Sequence, residues 1–296
     1  MDDPVARLVL GTAQLGMNYG VANRTGKPAP ITADSVLDLA WQEGLACLDT
    51  AQAYGDSEAV IGSYLERHPE CPIRVISKLD PALADADEEQ IYASVCASAN
   101  RLHGGLDAML LHNASMLDRW ETGLGRALRR CRDDGIISTI GISVYTPDAF
   151  REALAFSDIR LIQSPFNALD RSLYSDGLIE QASEAGVSVH LRSIFLQGLL
   201  LLEAETLPPD MAFAAEDVAR WQELCHRYQE RPAAVALLFA ARTVPEAFLV
   251  VGCETPDQLS RNISSLRAGP LDTNVWNDIM SLPKPDNRTA RPDLWH

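Results

Sequence analysis

The chain has 296 residues, enough for two ordinary domains or for one large α/β barrel. Its composition, 47% apolar and 22% charged, is that of a folded globular protein and excludes a disordered one. Forty-one acidic residues against 25 basic ones give a formal charge of −16, which repels a phosphate backbone or an anionic membrane at long range, so neither nucleic acid nor a membrane is expected as a partner.

From the N-terminus onward, short β-rich runs alternate with stretches of helical period. Strands are predicted at Arg7–Thr12, Ala46–Thr50, Arg74–Lys78, Ala108–His112, Thr139–Ser143, Leu161–Pro165, Ser188–Arg192 and Phe248–Gly252. Most are continuous apolar runs, as parallel strands buried on both faces require. Between them, Ser35–Glu43, Ser57–Arg67, Glu88–Leu102, Arg119–Arg132 and Leu178–Ala185 carry apolar residues at helical spacing. Thr32, Ser57 and Thr255 stand where helix caps belong, and Pro256 suits a first turn. After the seventh strand, Leu199–Asp217 with its two adjacent prolines is expected to be a mobile loop, followed by a helical pair around Trp221–Tyr228 and Pro232–Arg242. The tail Pro283–His296 is expected to run extended over the surface.

Alternating β and α runs make parallel strands with crossover helices. No GxGxxG follows the first strand and no phosphate-cradling GxxxxGKS or GxxxxGKT occurs, which speaks against an open, doubly wound sheet. The expected fold is a closed (β/α)₈ TIM barrel forming a single domain over residues 1–296, with its active site at the carboxyl ends of the strands. The six cysteines lack a CxxC pair or zinc spacing and are expected to be reduced thiols, with no metal site. The acidic N-terminus does not resemble a signal peptide, and the longest apolar run, Pro232–Ala241, is too short to span a bilayer; a cytosolic location is expected.

Four chemically suggestive residues fall at three consecutive predicted strand ends: Asp49 and Tyr54 after the second, Lys78 at the third and His112 at the fourth. Singly, each has an ordinary structural explanation. Together they are harder to dismiss, because a buried lysine needs a counter-charge and the neighbouring strand end supplies a carboxylate. Such a group suits proton donation to a carbonyl oxygen. A tyrosine keeps its proton at neutral pH, an adjacent ammonium is expected to ease its release, and a histidine can orient the carbonyl. No side chain delivers a hydride, so a nicotinamide or a flavin is required.

Leu48-Asp49-Thr50-Ala51, Tyr54-Gly55, Ser57-Glu58, Ser77-Lys78, Leu110-Leu111-His112 and Gly141-Ile142-Ser143 resemble the aldo-keto reductase motifs, and the resemblance runs from Gly11-Thr12 to about Leu266. It implies that Tyr54 is the general acid, that Lys78 and Asp49 tune it, that His112 orients the substrate, and that an NAD(P)H cofactor lies extended across the barrel mouth. Ser143 and Gln163 match positions that hold the nicotinamide carboxamide, and Gly11, Thr12, Gly198, Gly252, Glu254, Gln258 and Asn262 match further cofactor contacts. Two departures stand out. Val144 replaces a usual asparagine, and Arg192 takes the place of the aromatic that stacks on the nicotinamide, so that either its guanidinium covers the ring or it pairs with an acid in the mouth. Glu254 repels a 2′-phosphate and suits free ribose hydroxyls, so NAD(H) is expected over NADP(H), with Arg261 the residue that would reverse this.

Two functions remain open at this point. One is an oxidoreductase acting on an aldehyde, ketone or sugar-like carbonyl. The other is an NADH-sensing regulator acting through a protein partner, as in cell-division regulators on this barrel; a channel-type accessory subunit is a third, weaker option. Trp120, Phe195, Leu196 and Trp295 are apolar candidates to line the substrate pocket.

Overall fold

The computed structural model describes residues 3–45 and 47–295; Ala46, at the start of the predicted second strand, and the extreme termini lie outside the described residues. Eight strands, β1 Leu8–Gly11, β2 Cys47–Asp49, β3 Arg74–Lys78, β4 Leu106–Leu111, β5 Thr139–Ser143, β6 Ile159–Pro165, β7 Ser188–Arg192 and β8 Phe248–Gly252, pair in parallel in chain order. β1 pairs with β8 through Leu8↔Leu249 to Gly11↔Gly252, so the sheet closes into a (β/α)₈ barrel.

The period of two along each strand separates two cores. Leu10, Leu48, Val75, Met109, Ile142, Ile162 and Leu191 point outward and join the helices in one large apolar cluster. Ile76, Ala108, Leu110 and Leu161 point inward and plug the barrel, with Cys47 packed against them. Two residues beyond Cys47, Ile76, Leu110 and Leu161 come Asp49, Lys78, His112 and Gln163. Strand pleating therefore aims these four side chains into the barrel at its carboxyl end.

Helices Pro30–Gln42, Ser57–Arg67, Glu88–Arg101, Gly125–Asp133, Pro147–Leu154, Leu178–Glu184, Pro232–Thr243 and Pro256–Ala268 are prominent around the barrel. Thr255 caps the last of these through the amide of Gln258, with Pro256 in its first turn, as expected. Three expectations about the helices fail. The first of these helices begins at Pro30, whose fixed φ suits a first turn, so Thr32 is inside the helix and not its cap. Ser57 follows the N-cap residue Asp56, and its hydroxyl points into the structure. The single helix expected over Arg119–Arg132 is broken: a 3₁₀ turn at Ala114–Arg119 and a wide turn at Trp120–Leu124 precede Gly125–Asp133. Gly123 breaks the period there with φ 154°, and the added Cβ of an alanine at Gly125 would lie 2.7 Å from the Trp120 carbonyl oxygen.

The stretch Leu199–Asp217 is not an open loop. It is filled by turns at Leu196–Leu201, Ala204–Thr206 and Pro209–Ala214 and tied to helix Ala215–Tyr228, where Trp221 Nε1 donates to the Leu200 carbonyl at 2.9 Å. Nor is the tail extended: it forms a helical turn at Asn287–Ala290 and a 3₁₀ turn at Pro292–Leu294, and Trp295 folds back to donate to the Arg288 carbonyl at 2.8 Å. In both places buried apolar residues, Leu199, Leu200 and Met211 in one and Trp295 in the other, supply the reason to pack.

Helices Ser57–Arg67 and Glu88–Arg101 meet at Gly62, where a Cβ would lie 1.8 Å from the Arg101 carbonyl oxygen. Gly62→Ala is therefore expected to destabilise the fold by about 2–3 kcal/mol, because backbone cannot yield as a side-chain tip can. The check is a lower midpoint of urea unfolding at unchanged slope.

Candidate active site

At the carboxyl end of the barrel a cavity of about 580 Å³ runs from Tyr54 and His112 to Glu254 and Arg261. Its floor is a buried charge network. Lys78, 1% exposed, donates from Nζ to Asp49 Oδ2 at 2.7 Å and to the Thr50 carbonyl at 2.8 Å. The other carboxylate oxygen of Asp49 accepts from Gln163 Nε2 at 2.7 Å. Lys78 thus has one ammonium proton left, and Nζ lies 4.8 Å from the centre of the Tyr54 ring. The rings of Tyr54 and His112 meet edge to face, 6.0 Å apart at 87°.

The Tyr54 loop is held by backbone packing. An added Cβ at Gly16 would lie 1.9 Å from the Tyr54 carbonyl oxygen, and one at Gly55, with φ +56°, would meet the Gly16 carbonyl oxygen from the other side. Glycine at both positions lets the loops after β1 and β2 interlock. Ser57 Oγ donates to the Thr12 carbonyl at 2.9 Å and accepts from Thr50 Oγ1 at 2.9 Å, while Thr12 Oγ1 donates to the Asp49 carbonyl at 2.8 Å. Behind Lys78, buried Glu58 accepts from Ser77 Oγ at 2.6 Å and pairs with Arg101.

Burial raises the pKa of Tyr54, and the negative charge of Asp49 raises it further, whereas Arg192 pulls it down. In the folded protein burial and Asp49 thus outweigh any easing of proton release at Tyr54. Burial pulls Lys78 down and Asp49 opposes it. His112 is held at about 4, by burial first and then by Lys78 and Arg192, so its imidazole is neutral at pH 7, with one donor and one acceptor nitrogen.

His190, on β7 inside the barrel, is 3% exposed, stacks on Phe248 at 4.7 Å and is held at about 4 by burial. The unfolded chain binds a proton at His190 near pH 6.5 and the folded one does not until about pH 4, so stability falls as pH drops through that window. His190→Leu is expected to flatten this acid slope by up to about 3 kcal/mol at pH 4, with His112 keeping part of it. Urea unfolding of both proteins between pH 4 and 7 measures this.

Of the two roles expected of Arg192, the pairing with an acid in the mouth is not met. Among the described residues it has no carboxylate partner; Nε donates to Ser143 Oγ at 3.3 Å, Nη2 to the Val144 carbonyl at 3.1 Å and Nη1 to Ser193 Oγ at 3.2 Å. Its guanidinium lies 4.0 Å from the centre of the Tyr145 ring. Tyr145 escaped the sequence argument, although it continues the inward series Gly141, Ser143, Tyr145. Tyr19, Gln14, Arg24 and Arg231 also line the cavity, and nothing in their local sequence marks them. Of the apolar candidates, Phe195 lines the cavity, whereas Trp120, Leu196 and Trp295 are packed away from it, Trp120 against Phe156.

Gly11, Thr12, Ser143, Gln163, Arg192, Gly198, Gly252, Glu254, Gln258 and Asn262 all line the same cavity. Gln163 Oε1 is buried without a partner, an acceptor available to the carboxamide of a nicotinamide. At the far end the Glu254 amide donates to Gln258 Oε1 at 2.7 Å, and Gln258 Nε2 returns a bond to Glu254 Oε2 at 2.9 Å. Asn262 Nδ2 contacts Cys253 Sγ at 3.6 Å, and Arg261 pairs with Asp257 at 2.7 Å. An elongated groove with this acceptor at one end and these ribose-compatible groups at the other fits an extended dinucleotide. Among the described residues, no cluster of three or more His, Cys, Asp or Glu is placed to hold a metal, and no helix is long and apolar enough to cross a membrane.

The chain is 24% identical over 315 residues to the NADH-specific methylglyoxal reductase of Escherichia coli, covering 93% of this chain and 94% of that protein. It is also 24% identical over 319 residues to the D-threo-aldose 1-dehydrogenase of a Pseudomonas species, covering 93% and 95%. Its fold matches an aldo-keto reductase of Bacillus halodurans solved in its holo form, with a TM-score of 0.73 at 22% identity over 94% of this chain and 92% of that one. The aldo/keto reductase family as a whole matches residues 7–284, so the chain belongs to this family of oxidoreductases.

Proposed function

We propose that the protein reduces an aldehyde, ketone or sugar-like carbonyl, or runs the reverse oxidation, with NAD(H) as cofactor and Tyr54 as the proton donor. The observation that carries this is the buried Lys78–Asp49 pair set beneath Tyr54 and beside a neutral His112 at the cavity floor. A nicotinamide bound along the groove supplies a hydride to the carbonyl carbon. Tyr54 gives its proton to the carbonyl oxygen as the C=O π bond breaks, and the Lys78 ammonium, 4.8 Å from the centre of the ring, lies close enough to stabilise the phenolate that forms. Neutral His112 donates a hydrogen bond that orients the carbonyl. Ser143 and Gln163 hold the carboxamide, the latter through its free Oε1, while Asp49 fixes both Gln163 and Lys78. Gly11, Thr12, Arg192, Gly198, Gly252, Glu254, Gln258 and Asn262 form the rest of the groove.

NAD(H) is favoured over NADP(H) because Glu254 faces the groove while the charge of Arg261 is engaged by Asp257. The naming of the Escherichia coli relative as NADH-specific is consistent with this. Glu254→Gln is expected to raise affinity for NADPH by about tenfold while changing that for NADH less than threefold, since only the former carries charge at this point. Fluorescence titration with both nucleotides, followed by turnover on a panel of small aldehydes and sugars, tests the proposal. Absence of nucleotide binding, or of turnover on any carbonyl, counts against it. The second reading, an NADH-sensing regulator, draws on the unusual Val144 and Arg192; it predicts binding without turnover and a cellular role that survives Tyr54→Phe.

A further inference from the structure

We infer that Arg192 makes the nicotinamide site discriminate by redox state, so that the protein holds NADH more tightly than NAD⁺. This inference rests on the function proposed above. Arg192 sits inward at the end of β7, and its recorded partners, Ser143 Oγ, the Val144 carbonyl, Ser193 Oγ and the Tyr145 ring, are all uncharged. Three hydrogen bonds and a stacked ring hold the guanidinium in the cavity wall, so it cannot swing into solvent without losing them.

The acids nearby are already committed. Asp49 is bonded to Lys78 and Gln163, and Asp293 on the tail pairs with Arg291. Lys78 and Asp49 cancel, His112 is neutral, and Tyr19 and Tyr54 stay protonated because burial raises both. Among the described residues Arg192 therefore has no ion-pair partner of its own, and the carboxylate that feels its charge, Asp293, is already paired with Arg291.

That charge touches Ser143, which the proposed function assigns to the carboxamide, and so lies a few ångströms from the nicotinamide ring. The reduced ring is neutral and the oxidised ring is a cation. Two like charges this close in a protein interior repel by enough to change an affinity about tenfold or more. During turnover the phenolate of Tyr54 appears together with the ring's charge, and Arg192 favours that phenolate. The penalty therefore falls on the oxidised complex once Tyr54 has regained a proton, which promotes release of NAD⁺. The same discrimination is what a protein responding to the NADH to NAD⁺ ratio needs.

The test is fluorescence titration of NADH and NAD⁺ against wild type, Arg192→Gln, Arg192→Met and Arg192→Lys. Wild type is expected to bind NADH at least about tenfold more tightly than NAD⁺, and the Gln and Met variants to lose about tenfold of that ratio, or 1.4 kcal/mol. Arg192→Lys, which keeps the charge, should retain it. Because the readout is a ratio within each protein, a general weakening of binding cancels. A ratio that is the same in wild type and in the uncharged variants overturns this inference and leaves the proposed function standing; failure of wild type to bind either nucleotide overturns both.

Discussion

Tyr54→Phe is expected to lower kcat for carbonyl reduction by about 10³-fold while leaving NADH affinity within about twofold. The hydroxyl is the only group lost, and the ring that packs edge to face on His112 and lies 4.8 Å from Lys78 Nζ remains. Interactions that hold the nucleotide elsewhere along the groove are untouched, so the loss belongs to the proton transfer. Two measurements decide it: steady-state kinetics on the best substrate of a carbonyl panel, and NADH titration of the same preparations. Equal losses in kcat and in NADH affinity would mean that Tyr54 shapes the groove and is not its acid. Because burial and Asp49 raise the tyrosine's pKa, reduction should not decline through ionisation of Tyr54 anywhere in the neutral range.

The second large effect is expected at Asp49. Asp49→Ala removes the carboxylate that accepts from both Lys78 and Gln163 and leaves an ammonium that is 1% exposed with only the Thr50 carbonyl. Breaking one side of a buried pair costs about 3–5 kcal/mol, since the remaining charge must be desolvated or neutralised. The double variant Asp49→Leu with Lys78→Met is expected to recover most of that stability, because a buried pair replaced by apolar side chains of similar size is often neutral or better. It should nonetheless remain inactive. Urea unfolding and kcat on the two proteins separate folding from function; a double variant that stays as unstable as Asp49→Ala would show that the pair is needed to pack the barrel floor, not merely to compensate charge.

Much of this site was legible before any coordinates. The expected bounds of β3, β5, β7 and β8 coincide with the strands observed, because short β-rich runs set between helical stretches pair as parallel strands joined by crossover helices. Once the strands are aligned, a period of two places Asp49, Lys78, His112, Ser143 and Gln163 on the inner face at one end. Local capping was less legible. Thr32 has the chemistry of a cap, but Pro30 starts the helix two residues earlier, and the helical spacing over Arg119–Arg132 is interrupted at Gly123 and Gly125 by a wide turn around Trp120.

The amino-acid sequence by itself determined the barrel, the order of its strands and the identity of the groups on its floor, since these follow from hydrophobic period and from residue type at strand ends. Only the tertiary structure decided what surrounds them. That Arg192 rests on Tyr145 with no acid paired to it among the described residues, that Arg261 is spoken for by Asp257, that Asp49 pairs with Lys78, and that the tail and the Leu199–Asp217 stretch are packed are all matters of contact and desolvation. Period and composition specify which way a side chain points; the charge it feels depends on which distant segments come to lie within a few ångströms, and on how much water they exclude.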